Sequence, residues 1–420
     1  MTRWYRNEDW LAVIVGAAVI IAVVAGIRPP LPQFGWKDTG ELANILAPVQ
    51  LSRAIFLAIT YLLISAPGAV LAGASPRKYA AGFPFVFALG WVGQIIAGNA
   101  TVSYWGIEYV IFALLLGLAI SNGPGVPEWL ADAVRTEYYI KTGLVIMGAT
   151  ILFSDIMQAG ALGLIQAIAV VAVIWYFSYW LAKRLRLDDE FSAILASAVA
   201  ICGVSAAIAA CGAIHGDRRK LSYVASVVLI VAVPMIVLQP WMVKAMGMPD
   251  VVGGAWLGGT LDTTGSVVAA SALISEAALK IGTIVKFSQN VLIGVAAFLL
   301  SLWWTWRKTA SAQERAGLAV IWQRFPKFVL GFVGASLVFS FLLDPAVAKP
   351  AARVLGGLRT FWFSLAFVSI GLETKFTDLV RMESGRPLLA FLGAQAANVV
   401  WTLLLAYLIF GGFVFPPPQV

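Results

Sequence analysis

The sequence predicts an all-α polytopic membrane protein with 11–13 helical segments. Of its 420 residues, 60% are hydrophobic and only 12% are charged, and the mean hydropathy is +0.88. A soluble domain has about 45–50% apolar and about 25% charged residues, so most of this protein's surface must face lipid. A soluble enzyme is therefore excluded. A nucleic-acid binder is excluded too, because the basic residues behind the net charge of +8 fall in short clusters between apolar runs.

Thirteen apolar runs are long enough to be membrane segments, since about 17–25 residues cross a bilayer core of about 30 Å. Helices are expected because hydrocarbon offers the backbone no hydrogen-bond partners. The first run is assigned as a helix rather than a signal peptide, because no small-x-small cleavage site precedes Arg28. The runs lie near 11–27, 51–74, 79–98, 105–121, 136–153, 161–182, 191–214, 221–243, 251–274, 278–304, 327–343, 356–373 and 388–413.

Two of these segments, 191–214 and 251–274, are rich in Gly, Ala, Ser and Thr rather than in large apolar residues. Either both cross the membrane, or both enter from opposite faces and turn back, which leaves 11 crossings. The re-entrant interpretation is favoured, because it moves the basic run 218–220 to the side that carries most of the other Lys and Arg residues. That side is predicted to be cytoplasmic, with the N-terminus inside and the C-terminus outside.

The predicted organisation is an N-terminal helix and loop, 1–50, followed by two transmembrane halves, 51–245 and 246–420. Each half contains one interrupted segment. The sequence also predicts an internal repeat, because Gly-Ala-Thr-Ile-Leu-Phe-Ser-Asp-Ile at 148–156 resembles Gly-Leu-Glu-Thr-Lys-Phe-Thr-Asp-Leu at 371–379. Each stretch is interpreted as the end of an apolar helix followed by a short amphipathic tail. The two helices run in opposite directions in either topology, and inverted repeats are typical of secondary transporters.

The two small-residue segments contain the candidate substrate site. Glycine allows a helix to stop and restart, so Gly203 and Gly265 are predicted to occupy the breaks in their helices. The restarted helix presents free N–H groups and a partial positive charge to an anion. Helix packing by small residues would produce a similar composition, but a run of threonines next to a buried acid exceeds what packing requires. The candidate residues in these two segments are Gly203, Ser205, Thr263, Thr264, Gly265 and Ser266.

Three further polar residues lie well inside predicted segments. Asp262 is interpreted as a proton carrier, a cation ligand or an N-cap of the following half-helix, and these alternatives stay open. Lys286 and Asn290 lie one helical turn apart. Lys286 is a candidate counter-ion for Asp262 or for an anionic substrate.

Four stretches resemble the YeiH-like family of bacterial inner-membrane proteins. They are Ile-Cys-Gly-Val-Ser-Ala-Ala at 201–207, Gly-Gly-Thr-Leu-Asp-Thr-Thr-Gly-Ser-Val-Val-Ala-Ala at 258–270, Val-Lys-Phe-Ser-Gln-Asn-Val-Leu-Ile-Gly at 285–294, and Gly-Leu-Glu-Thr at 371–374. The resemblance covers about residues 80–413. Members are labelled sulfate exporters and are grouped with cation/proton antiporters and anion transporters. The resemblance therefore implies a multi-pass inner-membrane transporter with inverted repeats and interrupted helices.

The expected function is export of a small anion such as sulfate or a related sulfur oxyanion, with coupling to H⁺ or Na⁺ left open. The alternatives are a cation/proton antiporter that uses Asp262, and an anion channel. No catalytic residue, metal site or cofactor is expected, because the chain has one histidine and two cysteines and no phosphate-binding Gly-x-x-x-x-Gly-Lys-Ser/Thr string. The expected partners are the lipid bilayer, the anion and the coupling ion, and a homodimer is a further alternative.

Overall fold

The computed structural model describes residues 7–104, 108–308, 322, 325–375 and 385–418. Within these ranges the regular structure is helical, apart from an isolated bridge between Trp36 and Asn99. The helices are α1 (Glu8–Val24), α2 (Thr39–Ile45), α3 (Pro48–Leu71), α4 (Pro76–Ala97), α5 (Ala100–Tyr104), α6 (Tyr109–Asn122), α7 (Glu128–Ala131), α8 (Thr136–Gly148), α9 (Phe153–Arg184), α10 (Asp189–Ser197), α11 (Gly203–Ala213), α12 (Arg218–Ala245), α13 (Asp250–Thr260), α14 (Thr264–Ala272), α15 (Glu276–Lys308), α16 (Phe328–Leu337), α17 (Pro345–Glu373) and α18 (Gly385–Phe410). Two π-helical turns, Ala198–Cys202 and Val338–Leu342, follow α10 and α16.

Among the described residues, eight helical stretches are long and apolar enough to cross a membrane. The prediction of an all-α polytopic membrane protein is therefore confirmed. Each of the thirteen predicted segments contains helix, although residues 105–107 lie outside the described ranges. Fewer stretches qualify as spans than were predicted, because α1, α6, α8 and α16 are short and the segment 251–274 is split in two. The eight stretches are Pro48–Leu71, Pro76–Ala97, Phe153–Arg184, Asp189–Ala213, Arg219–Ala245, Glu276–Trp304, Pro345–Glu373 and Gly385–Phe410.

The start of α9 corrects one feature of the proposed repeat. Phe153 begins the 32-residue helix α9, so the Phe-Ser-Asp sequence opens a new helix rather than forming a tail on α8. Asp155 in the first turn of α9 favours this start, because a negative charge there complements the helix dipole. The second copy, 376–379, lies outside the described residues. The inverted repeat itself stays a prediction.

The chain forms two compact units. Unit 1 comprises Met1–Ser154 and Lys327–Lys375, and unit 2 comprises Asp155–Pro326 and Phe376–Val420. The two predicted sequence halves, 51–245 and 246–420, therefore each contribute to both units.

Unit 1 is built around α17, which packs against α6 and α8. Gly117 of α6 lies against Gly371 of α17 so closely that a Cβ on Gly117 would stand 2.9 Å from the Gly371 Cα atom. Small residues allow this close approach of two helices inside a membrane protein. Aromatic rings fill the space nearby, where Tyr61 stacks on Trp362 at 4.7 Å between ring centroids and donates a 2.6 Å hydrogen bond to the Leu358 carbonyl.

Unit 2 contains the long helices α9, α12, α15 and α18 and the two interrupted segments. Helix α13 packs tightly on α15 through glycines, since a Cβ on Gly254 would lie 2.6 Å from the Ala278 oxygen and one on Gly258 would lie 2.6 Å from the Gly282 oxygen. From the first of these contacts to the second, the residue number rises by four on both helices. The two helices therefore run in the same direction.

Candidate functional site

The segment from α10 to α11 is a re-entrant hairpin, called hairpin 1 (189–213). Lys220 after the hairpin donates to Asp188 before it at 2.9 Å and to Glu190 at 3.0 Å, and the Asp217 N–H also donates to Glu190. A straight helix of these 25 residues would separate its ends by about 37 Å. Because the two ends meet, the segment turns back, although its length and hydropathy alone would allow it to cross.

The base of hairpin 1 also holds the end of α9, since Lys183 pairs with Asp189 at 2.9 Å. Burial alone would raise the pKa of Asp188, but hydrogen bonds from the Phe191 N–H and the Lys220 ammonium outweigh it and hold that pKa below its usual range. Lys220 therefore lies on the same face of unit 2 as Lys183, as the re-entrant interpretation predicted. The assignment of this face to the cytoplasm stays a prediction.

The segment from α13 to α14 is a second re-entrant hairpin, called hairpin 2 (250–272). A Cβ on Gly253, near its start, would lie 3.6 Å from Ile274, just past its end, and 2.7 Å from Val243 in the last turn of α12. Hairpin 1 has its base at the first residues of α12 and hairpin 2 has its base at the last. The two hairpins therefore enter from opposite ends of this helix.

The tips of the two hairpins meet. Hairpin 1 is interrupted at Cys202 and at Gly203, whose φ of 29° and ψ of −113° favour glycine. A Cβ on Gly203 would lie 3.0 Å from the backbone carbonyl oxygen of Asp262, in the tip of hairpin 2. The predicted position of Gly203 in a helix break is thus confirmed.

The corresponding prediction for Gly265 is wrong. This residue lies in the first turn of α14, after the break. The backbone of the break itself is extended, with φ/ψ of −69°/134° at Leu261 and −121°/150° at Thr263. Any residue adopts such angles, so hairpin 2 needs no glycine there.

Each tip leaves carbonyl groups without helical partners, and side chains from two crossing helices donate to them. From α15, Gln289 donates to the Ala200 oxygen at 2.9 Å and to the Gly259 oxygen at 3.3 Å. From α18, Gln395 donates to the Thr260 oxygen at 3.0 Å. Asn398, also from α18, donates to the Val199 and Thr260 oxygens at 3.3 Å each. These amides satisfy orphan groups that would be costly in a buried position.

Lys286 of α15 completes this junction and is only 1% exposed. Its ammonium donates to the Ile201 oxygen at 2.7 Å and to the Leu261 oxygen and Gln289 Oε1 at 2.8 Å each. These three bonds use all the N–H groups of an ammonium. Lys286 therefore ties the two tips together, and its predicted direct contact with an anion would require one of these bonds to break.

Asp262 lies at the tip of hairpin 2 and is 2% exposed. Neither of its carboxylate oxygens has a hydrogen-bond partner among the described residues, and its interaction with Lys286 is a charge attraction without a hydrogen bond. The predicted alternative of Asp262 as an N-cap is wrong. Thr263 caps α14 instead, because its hydroxyl accepts the Ser266 N–H at 3.0 Å. The proton-carrier and cation-ligand alternatives stay open.

The remaining candidate residues divide into accessible and enclosed groups. Ser205 in the first turn of α11 is exposed and Thr263 is half-buried. Thr264, Ser266 and Asn290 are buried, and Asn290 donates to the Thr264 hydroxyl at 3.1 Å. Among the candidates, Ser205 and Thr263 are therefore the hydroxyl residues that the protein does not enclose.

Sequence reasoning did not select Gln289, Gln395 and Asn398 as site residues. A signal was present, because each crossing helix carries two polar residues three positions apart within an apolar stretch: Lys286 with Gln289, and Gln395 with Asn398. Such spacing places both side chains on one helix face. Polar groups inside spans commonly mark a site.

Comparison with known proteins gives consistent matches. Residues 81–391 match the family model described as conserved hypothetical protein 698. A UPF0324 membrane protein of Rhodopirellula baltica is 39% identical, over 91% of this chain and 72% of its own length. A UPF0324 membrane protein of Nitratidesulfovibrio vulgaris is 36% identical over 84% of this chain, which spans 63% of that relative's length. One of Nitrosomonas europaea is 29% identical, with 90% and 92% covered. No solved structure matches.

Proposed function

This chain belongs to the membrane-protein family described as conserved hypothetical protein 698, and we propose that it is a secondary transporter that exports a small anion such as sulfate or a related sulfur oxyanion. The observation that carries the proposal is the pair of re-entrant hairpins whose tips touch after entering from opposite ends of α12. Interrupted helices that meet near the middle of the membrane form the solute sites of many secondary transporters. The proposed location is the bacterial inner membrane, with the N-terminus cytoplasmic and the C-terminus periplasmic.

An anion is supported by the chemistry of the restarted half-helices. The first N–H groups of α11 and α14 carry about half a unit of positive charge at each helix end. The accessible hydroxyls of Ser205 and Thr263 lie at these ends and add hydrogen-bond donors. The opposite, negative ends of the interrupted helices are covered by Lys286 and by the amides from α15 and α18. Apart from the Ser266 N–H, which Thr263 caps, the first N–H groups of α11 and α14 are therefore offered to a solute, whereas the tip carbonyls named above already accept hydrogen bonds.

Proton coupling is supported by Asp262. An ionised carboxylate without hydrogen bonds is costly to bury, so burial favours the protonated form of Asp262. Protonation of Asp262 removes one negative charge from the neighbourhood of Lys286, which makes the local potential more positive and favours an anion nearby. Anion binding and proton uptake would then occur together, and Asp262→Asn should remove the pH dependence of anion transport.

The test is uptake of radiolabelled sulfate, sulfite or thiosulfate into proteoliposomes, together with thermal unfolding of the purified protein in the same anions at constant ionic strength. A ligand that binds only the folded state must raise the apparent Tm. Ser205→Ala should weaken binding of the preferred anion about tenfold or more, since a hydrogen bond to a charged group contributes about 1.5–3 kcal/mol. Ser226→Ala is the matched control, because Ser226 is on α12 and donates to a helix carbonyl. If no anion raises the Tm or enters the vesicles, the proposal is wrong.

A cation/proton antiporter is the second candidate, because the Asp262 carboxylate, which accepts no hydrogen bond from the part of the chain that the structure describes, can also receive a cation. In that case cations rather than anions raise the Tm, and Asp262→Asn abolishes cation-dependent flux. An anion channel would instead give flux that does not saturate with substrate and is independent of a second ion.

A further inference from the structure

The Lys286 ammonium lies where the negative ends of two interrupted helices converge. The Ile201 oxygen comes from the end of the first half of hairpin 1, and the Leu261 oxygen comes from the end of α13. Gln289 Oε1 from α15 is the third acceptor, and all three distances are 2.7–2.8 Å. These three oxygens are called the oxygen cage.

The charge of the oxygen cage matches one monovalent cation. Each helix C-terminus carries about half a unit of negative charge, so two such ends together offer about one unit. In transporters with interrupted helices, unwound carbonyls and half-helix C-termini coordinate the coupling cation. In this protein the same kind of oxygen ligands surround a covalently attached ammonium.

We infer that the oxygen cage is a monovalent-cation site that the protein fills with its own lysine, so that no Na⁺ or K⁺ binds between the hairpin tips. The inference about occupancy follows from the geometry of the junction alone. Its consequence for transport rests on the proposed function. If no metal cation binds at the tips, none can be the coupling ion there, and the proton taken up by Asp262 is the remaining coupling ion.

The position of Gln289 strengthens this inference. Its Oε1 accepts from Lys286, while its Nε2 donates to a carbonyl in each tip, Ala200 and Gly259. The same amide thus supplies one oxygen of the oxygen cage and holds the two hairpin tips in place through hydrogen bonds. Such an arrangement holds a cation permanently, whereas a site for an exchanging ion needs ligands that can release it.

The experiment replaces the tethered cation by a free one. Lys286→Ala removes three carbons and the ammonium, which n-propylammonium contains in the same order. We expect the variant to unfold several degrees below wild type, because the buried carbonyls lose their donor. n-Propylammonium chloride should restore the Tm in a saturable manner, half-maximally at about millimolar concentration, as expected for a ligand of four heavy atoms. Choline chloride at the same ionic strength should not.

Two controls isolate the oxygen cage. Lys286→Met removes the charge but keeps the volume, so its Tm should fall without rescue by n-propylammonium. Lys280→Ala, on the same helix but half-exposed, should show no rescue either. The inference is overturned if n-propylammonium stabilises Lys286→Ala no more than it stabilises wild type.

A second measurement does not depend on the folding of any Lys286 variant, because it uses the wild-type protein and Asp262→Asn. Because the oxygen cage binds no metal ion, the wild-type Tm should be equal in NaCl, KCl and choline chloride. A saturable increase with Na⁺ that persists in Asp262→Asn would place a metal ion at the tips and would also overturn the inference. These readouts use no substrate and no flux, so their failure is distinguishable from failure of the anion-export proposal.

Discussion

Gly203→Ala should disrupt the contact between the two hairpin tips. The φ of 29° at Gly203 lies where an L-residue costs about 1–2 kcal/mol. The added Cβ would also lie 2.6 Å from Val228 Cγ1 and 3.0 Å from the backbone carbonyl oxygen of Asp262. Carbon atoms prefer a separation of about 3.5–4.0 Å, so Val228 must move by about 1 Å, and such overpacking costs about 1–3 kcal/mol.

The two costs together destabilise the touching tips by about 2–5 kcal/mol, which corresponds to at least about a tenfold loss in the population of this arrangement. The assay is the apparent Tm of the purified variant, followed by initial anion flux in proteoliposomes that contain equal amounts of inserted protein. We expect a lower Tm and at least a tenfold lower flux. Leucine should abolish flux, because it fills still more of the space between the tips.

Two other glycines separate the causes. Gly247 has a φ of +59° but no atom within 4 Å of an added Cβ, so Gly247→Ala carries only the backbone cost. Gly334 lies in helix α16 with open space around it, so Gly334→Ala should leave the Tm unchanged or raise it, since alanine favours a helix by about 0.5–1 kcal/mol. If Gly203→Ala matches Gly247→Ala in both Tm and flux, the close contact of the tips has no role and the reasoning fails.

Two further predictions concern the hairpins. Asn398→Leu should lower the apparent Tm, because the buried Val199 oxygen loses its donor at a cost of about 1–3 kcal/mol. Asn44→Leu, at an exposed position, should not lower it. Equal Tm values for the two variants would contradict a role for Asn398 in stabilising the tips. Cysteines introduced at exposed positions Arg186 and Arg219, in a background without native cysteines, should react with an impermeant thiol reagent from the same side of the membrane, and labelling from opposite sides would show that hairpin 1 crosses.

Local sequence was sufficient to predict the class of protein and the places where helices break. Apolar runs identify membrane helices because the lipid environment acts on every residue of a span in the same way. The small residues around Gly203 and Asp262 indicated interruptions because large side chains are incompatible with close backbone approach. The basic residues beside Lys220 indicated re-entry, and the contacts of Lys220 with Asp188 and Glu190 agree.

The role of Asp262 could not be read from its neighbours in the sequence. Asp-Thr-Thr-Gly is a favourable capping sequence whichever side chain caps. Only the backbone angles of the break made Thr263 the cap and left the Asp262 carboxylate without a hydrogen bond to any residue in the described ranges. The same limit applies to Gly265, since an interruption with extended backbone does not require a glycine.

A polytopic helical membrane protein with two interrupted segments could be predicted without coordinates, because hydropathy and small-residue content are properties of contiguous residues. The contacts that join those segments depend on the folded arrangement of the chain. Lys286 binds carbonyls 85 and 25 residues away, and Asn398 binds one 199 residues away. Backbone carbonyls are the same in every residue, so no pattern of side chains reveals which of them a distant lysine or amide will bind. That choice depends on where the helix breaks bring the free ends of the backbone.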